Sequence, residues 1–85
     1  MTAKRPDDVS EITNATLDVL ERYTMFPWPL LKTQAEKLLL DPKQLDADGL
    51  SLCVDEIHAA LNRFTSAEKA DRAATELRDL AFKLG

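Results

Sequence analysis

Apolar residues recur every three or four positions along most of the chain, and no stretch alternates between apolar and polar residues as a surface strand does. This period predicts four main helices: one over about 8–24, a second from Pro29 to about Leu40, a third from Leu50 to Phe64, and a fourth after Thr65-Ser66. An amphipathic helix must bury its apolar side, and this sequence offers only other helices to cover it. We therefore predict an all-α fold, a small four-helix bundle without a β-sheet, with one extra short helical turn over residues 42–45.

The third predicted helix has the most regular pattern. Its apolar residues, at steps of four, three, four and three, are Leu50, Val54, Ile57, Leu61 and Phe64. Helices pair along a seam with this spacing. The fourth predicted helix has alanines in its first two turns and leucines later, which favours close approach to a neighbour near its start. The pattern leaves open whether these two helices fold back on each other or continue as one.

Two pairs of residues have the spacing of a capping box, in which a helix-start side chain and an acid three residues later satisfy unpaired amides. Asp8 with Glu11 predicts the start of the first helix, and Thr65 with Glu68 predicts the start of the fourth. Prolines between the first two helical patterns predict a break there, because proline lacks the amide hydrogen that continues a helix.

The chain is short enough for only one domain. Its 85 residues are 45% hydrophobic and 31% charged with a single Cys, which is typical of a soluble protein from a reducing compartment. We predict a disordered tail over residues 1–7 and a single helical domain over residues 8–85. The first residues lack the apolar run of a secretory signal, and the longest uncharged stretch is far shorter than the roughly 20 residues that span a membrane. We therefore expect a cytoplasmic protein that does not bind membranes.

Acidic residues outnumber basic ones by 15 to 11, for a net charge of −4. A duplex-binding module would need an excess of Lys and Arg, so we expect no nucleic-acid partner. Segment 41–56 has one basic residue against five acidic ones, a local net charge of −4. Asp46 and Asp48 in this segment are candidate contacts for a basic patch on another protein, and the alternative is a solvated loop before a helix.

Residues 44–55 partly match a calcium-binding loop. Gly49 falls at its sixth position, and Asp46 and Asp48 fall at its third and fifth. The first position is Gln44, a neutral amide, and the twelfth is an Asp where a bidentate Glu is usual. We therefore expect a loop that caps the third helix, and we predict no metal site.

Asp55 and His58 lie three residues apart, on one face of the third predicted helix. The pair resembles the Glu-x-x-His motif of very small ferritin-like proteins, which complete a di-iron centre across a subunit interface. The chain has a single His, so such a centre would need a second copy, with Glu21 or Glu36 as further donors. A metal-binding helical subunit is therefore one alternative function.

The sequence Gly49-Leu50-Ser51-Leu52 lies at the start of the third predicted helix, within the acidic segment. It resembles the attachment motif of carrier proteins, which carry phosphopantetheine on a Ser followed by Leu at a helix N-terminus. Leu50 stands where those proteins have Asp or Gly. The resemblance covers about ten residues, and it implies an acidic carrier-like domain modified on Ser51 as a second alternative.

Other signs of catalysis are weak. His58 follows Cys53 by five residues, which places the two on different sides of a helix, so no base lies beside the thiol. Both glycines are isolated, so there is no phosphate-binding loop. We expect Cys53 to be a small buried apolar residue, and we predict a protein that is not an enzyme and has no cofactor.

The segment Met25-Phe26-Pro27-Trp28-Pro29 has the densest unusual chemistry in the chain. Rigid aromatic side chains flanked by prolines lose little entropy on binding and are typical of binding hot spots. The alternative is that both rings plug one end of the bundle. We expect at least one of them to be partly exposed.

These observations favour a small non-enzymatic regulatory or adaptor protein that binds another protein. The predicted contact residues are Met25, Phe26, Trp28, Asp46 and Asp48. Four apolar helix faces are difficult to cover within 85 residues. A two-fold dimer would bury the remaining stripe, so we also expect a homodimer.

Overall fold

Four helices make up most of the chain, which a computed structural model describes from residue 6 to residue 84. They are α1 (Glu11–Leu20), α2 (Pro27–Lys37), α3 (Ala47–Phe64) and α4 (Ala67–Leu84). Within residues 6–84 there is no strand, and no helix is long and apolar enough to cross a membrane. The predicted all-α four-helix bundle is confirmed. Residues 1–5 of the predicted tail and residue 85 lie outside the described chain.

The two longest helices, α3 and α4, fold back on each other and form the main packing pair. Their buried apolar residues are Leu50, Cys53, Val54, Ile57, Ala60 and Leu61 on α3 and Ala70, Ala73, Ala74, Leu77 and Ala81 on α4. The alanines of α4 present only methyl groups to α3, which allows the helices to approach closely, as predicted. Four of the five predicted seam residues are therefore covered within one chain.

Phe64 is the seam residue that the prediction placed wrongly, because its side chain is 76% exposed. It is the last residue of α3, and α4 begins at Ala67 after the chain has reversed direction. No turn of α4 extends past this point to cover the ring. Leu84 is 39% exposed at the other end of the helix pair, where α4 ends.

Ser10, and not Asp8, caps α1. Its Oγ accepts a hydrogen bond from the Thr13 amide at 3.1 Å and donates one to the Leu45 carbonyl at 2.7 Å. The Ser10 amide donates to the Lys43 carbonyl at 2.7 Å. These long-range bonds fix the start of α1, so the predicted Asp8 cap is wrong.

Ser66 caps α4, with its Oγ accepting a hydrogen bond from the Lys69 amide at 3.2 Å. The Thr65 hydroxyl bonds back to the Leu61 carbonyl at 2.9 Å and so belongs to the end of α3. The predicted capping box of Thr65 with Glu68 is therefore wrong: the cap lies one residue later, and a lysine stands three residues after it. Thr65 and Ser66 both have a hydroxyl that can cap a helix. Because the Thr65 hydroxyl bonds to the last turn of α3, Ser66 is the cap of α4.

The other helix bounds differ from the prediction by a few residues. α1 ends at Leu20, and α2 begins at Pro27 because the first amides of a helix need no intrahelical acceptor. Asp46 caps α3 by accepting a hydrogen bond from the Gly49 amide at 2.7 Å. The residues from Ala47 to Gly49, which were predicted as a loop, therefore form the first turn of α3. The segment does cap this helix, as expected. The predicted short helical turn over residues 42–45 is wrong, because these residues form a non-helical turn.

Thr13 holds that turn against α1. Its side chain is completely buried, and its Oγ1 donates a hydrogen bond to the Pro42 carbonyl at 2.9 Å. The same oxygen accepts a hydrogen bond from the Leu45 amide at 3.1 Å. One hydroxyl thus satisfies two backbone groups of a segment that has no helix or sheet to pair them.

α2 ends in a Schellman motif with a leucine at the position that usually takes glycine. The Leu40 amide donates to the Ala35 carbonyl at 3.0 Å, and the Leu39 amide donates to the Glu36 carbonyl at 3.1 Å. Leu39 has φ 59°, in the left-handed region, and its side chain is 94% exposed. The backbone is strained here, and packing of the side chain does not compensate for it.

Candidate functional site

Several large apolar side chains are exposed among the described residues. They are Met25, Phe26, Leu39, Leu52, Phe64, Phe82 and Leu84. Three of them, Met25, Phe26 and Phe64, line one groove, although they come from two separate segments of the chain. We name this space, bounded by the loop before α2, by α2 and by the second half of α3, the α2–α3 groove.

The α2–α3 groove has a volume of about 920 Å³ and opens to solvent. Its lining residues are Glu21, Arg22, Tyr23, Thr24, Met25 and Phe26 before α2, Pro29, Leu30, Thr33, Gln34 and Lys37 on α2, and Glu56, Ala59, Ala60, Arg63, Phe64 and Thr65 at α3. Ala59 and Ala60 add only methyl groups to the wall, which leaves space between the two helices. The volume is at the upper end of the range of ligand pockets, roughly 300–1,000 Å³.

Hydrogen bonds fix the loop that forms one wall of the groove. The Tyr23 hydroxyl donates to the carboxylate of Glu76 on α4, and the Arg22 guanidinium binds the same carboxylate. The Thr24 hydroxyl oxygen accepts a hydrogen bond from the Phe26 amide at 3.1 Å. The start of the loop is therefore joined to α4 and its backbone has a local hydrogen bond, while its two large apolar side chains remain exposed.

The contact with Glu76 also controls the protonation of Tyr23. The hydrogen bond to the Glu76 carboxylate raises the pKa of Tyr23 above its ordinary value of 10.0, and burial and the charge of Glu76 act in the same direction. Arg22 and Arg72 oppose this rise in pKa by their positive charges. The Tyr23 hydroxyl therefore remains a donor throughout the neutral pH range.

Phe26 and Trp28 face different surroundings, although only one residue separates them. Phe26 is 62% exposed, whereas Trp28 is half-buried and packs against the core. Trp28 thus anchors the first turn of α2, and Phe26 stands at the groove. The binding interpretation thus fits Phe26, and the packing interpretation fits Trp28. At least one of the two rings is exposed, as expected.

Charged groups of both signs border the groove. Lys37 and Arg63 supply positive charge from α2 and α3, and Glu56 supplies negative charge one turn before Ala59. None of these three charged groups has an ion-pair partner within residues 6–84. Their charges are therefore available to groups outside the described chain.

The predicted contacts Asp46 and Asp48 lie in a different place. They line a second cleft of about 570 Å³, together with Ser51 and the exposed Phe82 of α4. Asp46 has a structural role there as the cap of α3. The fold therefore does not bring the two acidic residues together with Met25 and Phe26.

Residues singled out for other chemistry have structural roles. Cys53 is completely buried, and burial raises the pKa of its thiol, with the charge of Glu56 adding to this rise in pKa. His58 Nε2 lies 2.6 Å from an oxygen of Asp71 on α4. Within residues 6–84, no group of three or more His, Cys, Asp or Glu residues is arranged to hold a metal ion.

The sequence analysis did not identify Phe64, Lys37 or Arg63 as binding residues. A signal for Phe64 exists, because it directly precedes the Thr65-Ser66 break and a seam residue at a helix end has no opposite turn to cover it.

Comparisons with protein-family models, curated proteins and solved structures found no match. Within residues 6–84, the α2–α3 groove best supports a functional inference, because three exposed apolar side chains line it.

Proposed function

We propose that this chain is a small non-enzymatic adaptor or regulatory protein that binds an amphipathic helix of another protein in the α2–α3 groove. The observation that carries the proposal is the convergence of Met25, Phe26 and Phe64 on one open groove. All three side chains are exposed, so they add little to the stability of the bundle. Their placement on one groove is what a binding surface requires.

The energetics of these side chains favour binding. Complete burial of a Phe or Met side chain contributes about 1.5–3 kcal/mol. The loop that carries Phe26 is held by the contact of Tyr23 with Glu76 and is followed by Pro27. A fixed loop loses little conformational entropy when a partner binds, so more of this burial energy contributes to affinity.

The apolar side chains that line the groove and the charges at its border favour a helix as the occupant. A helix that binds in a groove inserts apolar side chains at positions i, i+3 or i+4, and i+7. Lys37 and Arg63 border the groove without acidic partners in the described chain, so acidic residues beside that apolar stripe would pair with them. The proposed partner is thus a helix with a narrow apolar face, with acidic residues beside Lys37 and Arg63 and a basic residue beside Glu56.

Selection of helical peptides from a display library against the full chain tests this proposal. The affinity of a selected acidic-flanked peptide is then measured by calorimetry for the wild type and for Phe26→Ala and Phe64→Ala. We expect each groove variant to bind at least about tenfold more weakly, a loss of about 1.4 kcal/mol.

Phe82→Ala is the matched control, because Phe82 is 77% exposed but lines the other cleft. It should bind the peptide like the wild type. An equal loss of affinity in all three variants, or in none, would contradict the proposal. Circular dichroism should show the same helical content in every variant, since all three rings are exposed.

A further inference from the structure

α3 carries a second stripe of residues on the side away from its buried seam. The stripe consists of Leu52, Glu56, Ala59 and Arg63, at steps of four, three and four. Leu52, Ala59 and Arg63 are exposed and Glu56 is half-buried, and all but Leu52 line the α2–α3 groove. This spacing is the one with which a helix packs along another helix.

The charges of this stripe are arranged to pair with a second copy of the same stripe. Glu56 precedes Ala59 by three residues, and Arg63 follows it by four. When two α3 helices lie antiparallel about an axis at Ala59 and Ala60, Glu56 of each copy faces Arg63 of the other. A two-fold dimer in this arrangement would therefore contain two ion pairs, each between Glu56 of one copy and Arg63 of the other.

The small side chain at the centre of this contact and the exposed apolar side chains near it also favour the packing of two helices. Ala59 at the centre has only a methyl group, so the two helix backbones can approach closely. Phe64 and Met25 are 76% and 77% exposed and line the same groove as the stripe. A dimer with an interface of standard size would cover about 800 Å² on each chain. The accessible surface of this chain is 5344 Å², so most of it would stay exposed to solvent.

We propose that a second copy of this chain occupies the α2–α3 groove, in a two-fold dimer with antiparallel α3 helices. The predicted seam of α3 cannot serve as the dimer contact, because α4 covers it, and the outer stripe takes this role instead. This inference rests on the proposed function, since it names what covers the groove in the absence of another partner. The dimer is then the closed form of the binding site, and a partner helix must displace the second copy.

Charge reversal at the paired positions tests the dimer. Sedimentation equilibrium of the full chain between about 10 μM and about 1 mM should give a mass near twice 9.5 kDa. Glu56→Arg and Arg63→Glu should each weaken dimerisation at least tenfold, because each places like charges opposite each other twice.

An equimolar mixture of the two variants should dimerise again, since the mixed pair restores both opposite-charge contacts. Glu36→Arg and Lys32→Glu are matched controls that make the same charge changes on α2, at exposed positions that do not line the groove. They should dimerise like the wild type. A wild-type mass of 9.5 kDa at every concentration, or failure of the mixture to dimerise, would overturn the proposed dimer.

A monomeric wild type that binds the selected peptide through Phe26 and Phe64 would overturn only the dimer. A dimer that follows the charge-reversal pattern, with peptide affinity insensitive to both rings, would overturn the adaptor function instead.

Discussion

The hydroxyl of Tyr23 donates a hydrogen bond to the carboxylate of Glu76, and this contact joins the turn after α1 to the middle of α4. Arg22 binds the same carboxylate from the neighbouring position. The loop that begins after Tyr23 carries Met25 and Phe26 to the α2–α3 groove. The bundle thus fixes one wall of the groove through a polar contact outside the apolar core.

Replacement of Tyr23 by Phe should destabilise the protein by about 1 kcal/mol, since a hydrogen bond to a charged acceptor is lost at a half-buried site. The effect should depend on pH. The pKa of Tyr23 is raised in the folded state, so the contribution of this group is complete below pH 10.0 and is lost as pH rises through the folded pKa. Urea unfolding at pH 7 and above pH 10 should therefore show the difference between wild type and Tyr23→Phe becoming smaller. A difference that grows at alkaline pH would contradict this assignment.

Thr13→Val should destabilise the protein by about 2–4 kcal/mol, because it leaves the Pro42 carbonyl and the Leu45 amide without their shared partner in a buried place. Thr16→Val is the matched control. Thr16 is also completely buried, but its hydroxyl donates only to the Ile12 carbonyl of its own helix, at 2.7 Å. We expect the control to change the free energy of unfolding by less than about 1 kcal/mol. Equal losses in the two urea titrations would show that Thr13 does not hold the turn.

Leu39→Gly should stabilise the protein by about 1 kcal/mol. Leu39 has φ 59°, a conformation that costs a residue with a Cβ roughly 1–2 kcal/mol and costs glycine very little. Leu39→Ala separates this effect from loss of the side chain, and it should be nearly neutral, since Leu39 is 94% exposed. The urea midpoints, at an unchanged slope, measure both effects. A glycine variant no more stable than the alanine variant would refute the strain.

Cys53 should react with a thiol reagent only when the protein opens. Its side chain is completely buried, and burial raises the pKa of the thiol, so the reactive thiolate is scarce in the folded state. In native buffer we expect labelling at least about a hundredfold slower than in urea. The control is Ser51→Cys with Cys53→Ala, which moves the thiol to an exposed position on the same helix and should react at once. Rapid labelling of the wild type would mean that α3 and α4 separate easily.

The periodicity of the sequence was sufficient to predict the core, because the spacing of Leu50, Val54, Ile57 and Leu61 depends only on helix geometry. It was not sufficient to place Phe64, whose exposure depends on where the chain reverses direction. Nor could it place the cap of α1, since Ser10 is chosen by the carbonyls of Lys43 and Leu45, more than 30 residues away.

The candidate site was predictable only in part for the same reason. The chemistry of Met25 and Phe26 was visible in the sequence, because prolines follow them closely. Their position opposite Phe64 results from the packing of α2 on α3, which no local pattern encodes. Asp46 and Asp48 were selected by charge, and charge along a chain does not show which cleft a residue will line.

The central claim, that the α2–α3 groove is the binding site, is tested most directly by nuclear magnetic resonance. The isotope-labelled chain is titrated with the selected acidic-flanked helical peptide, and amide shift changes are mapped on the fold. We predict the largest changes around Phe26, Lys37, Ala59 and Phe64, with little change around Asp48 and Phe82. Changes centred on the second cleft, or spread evenly over the surface, would contradict the claim.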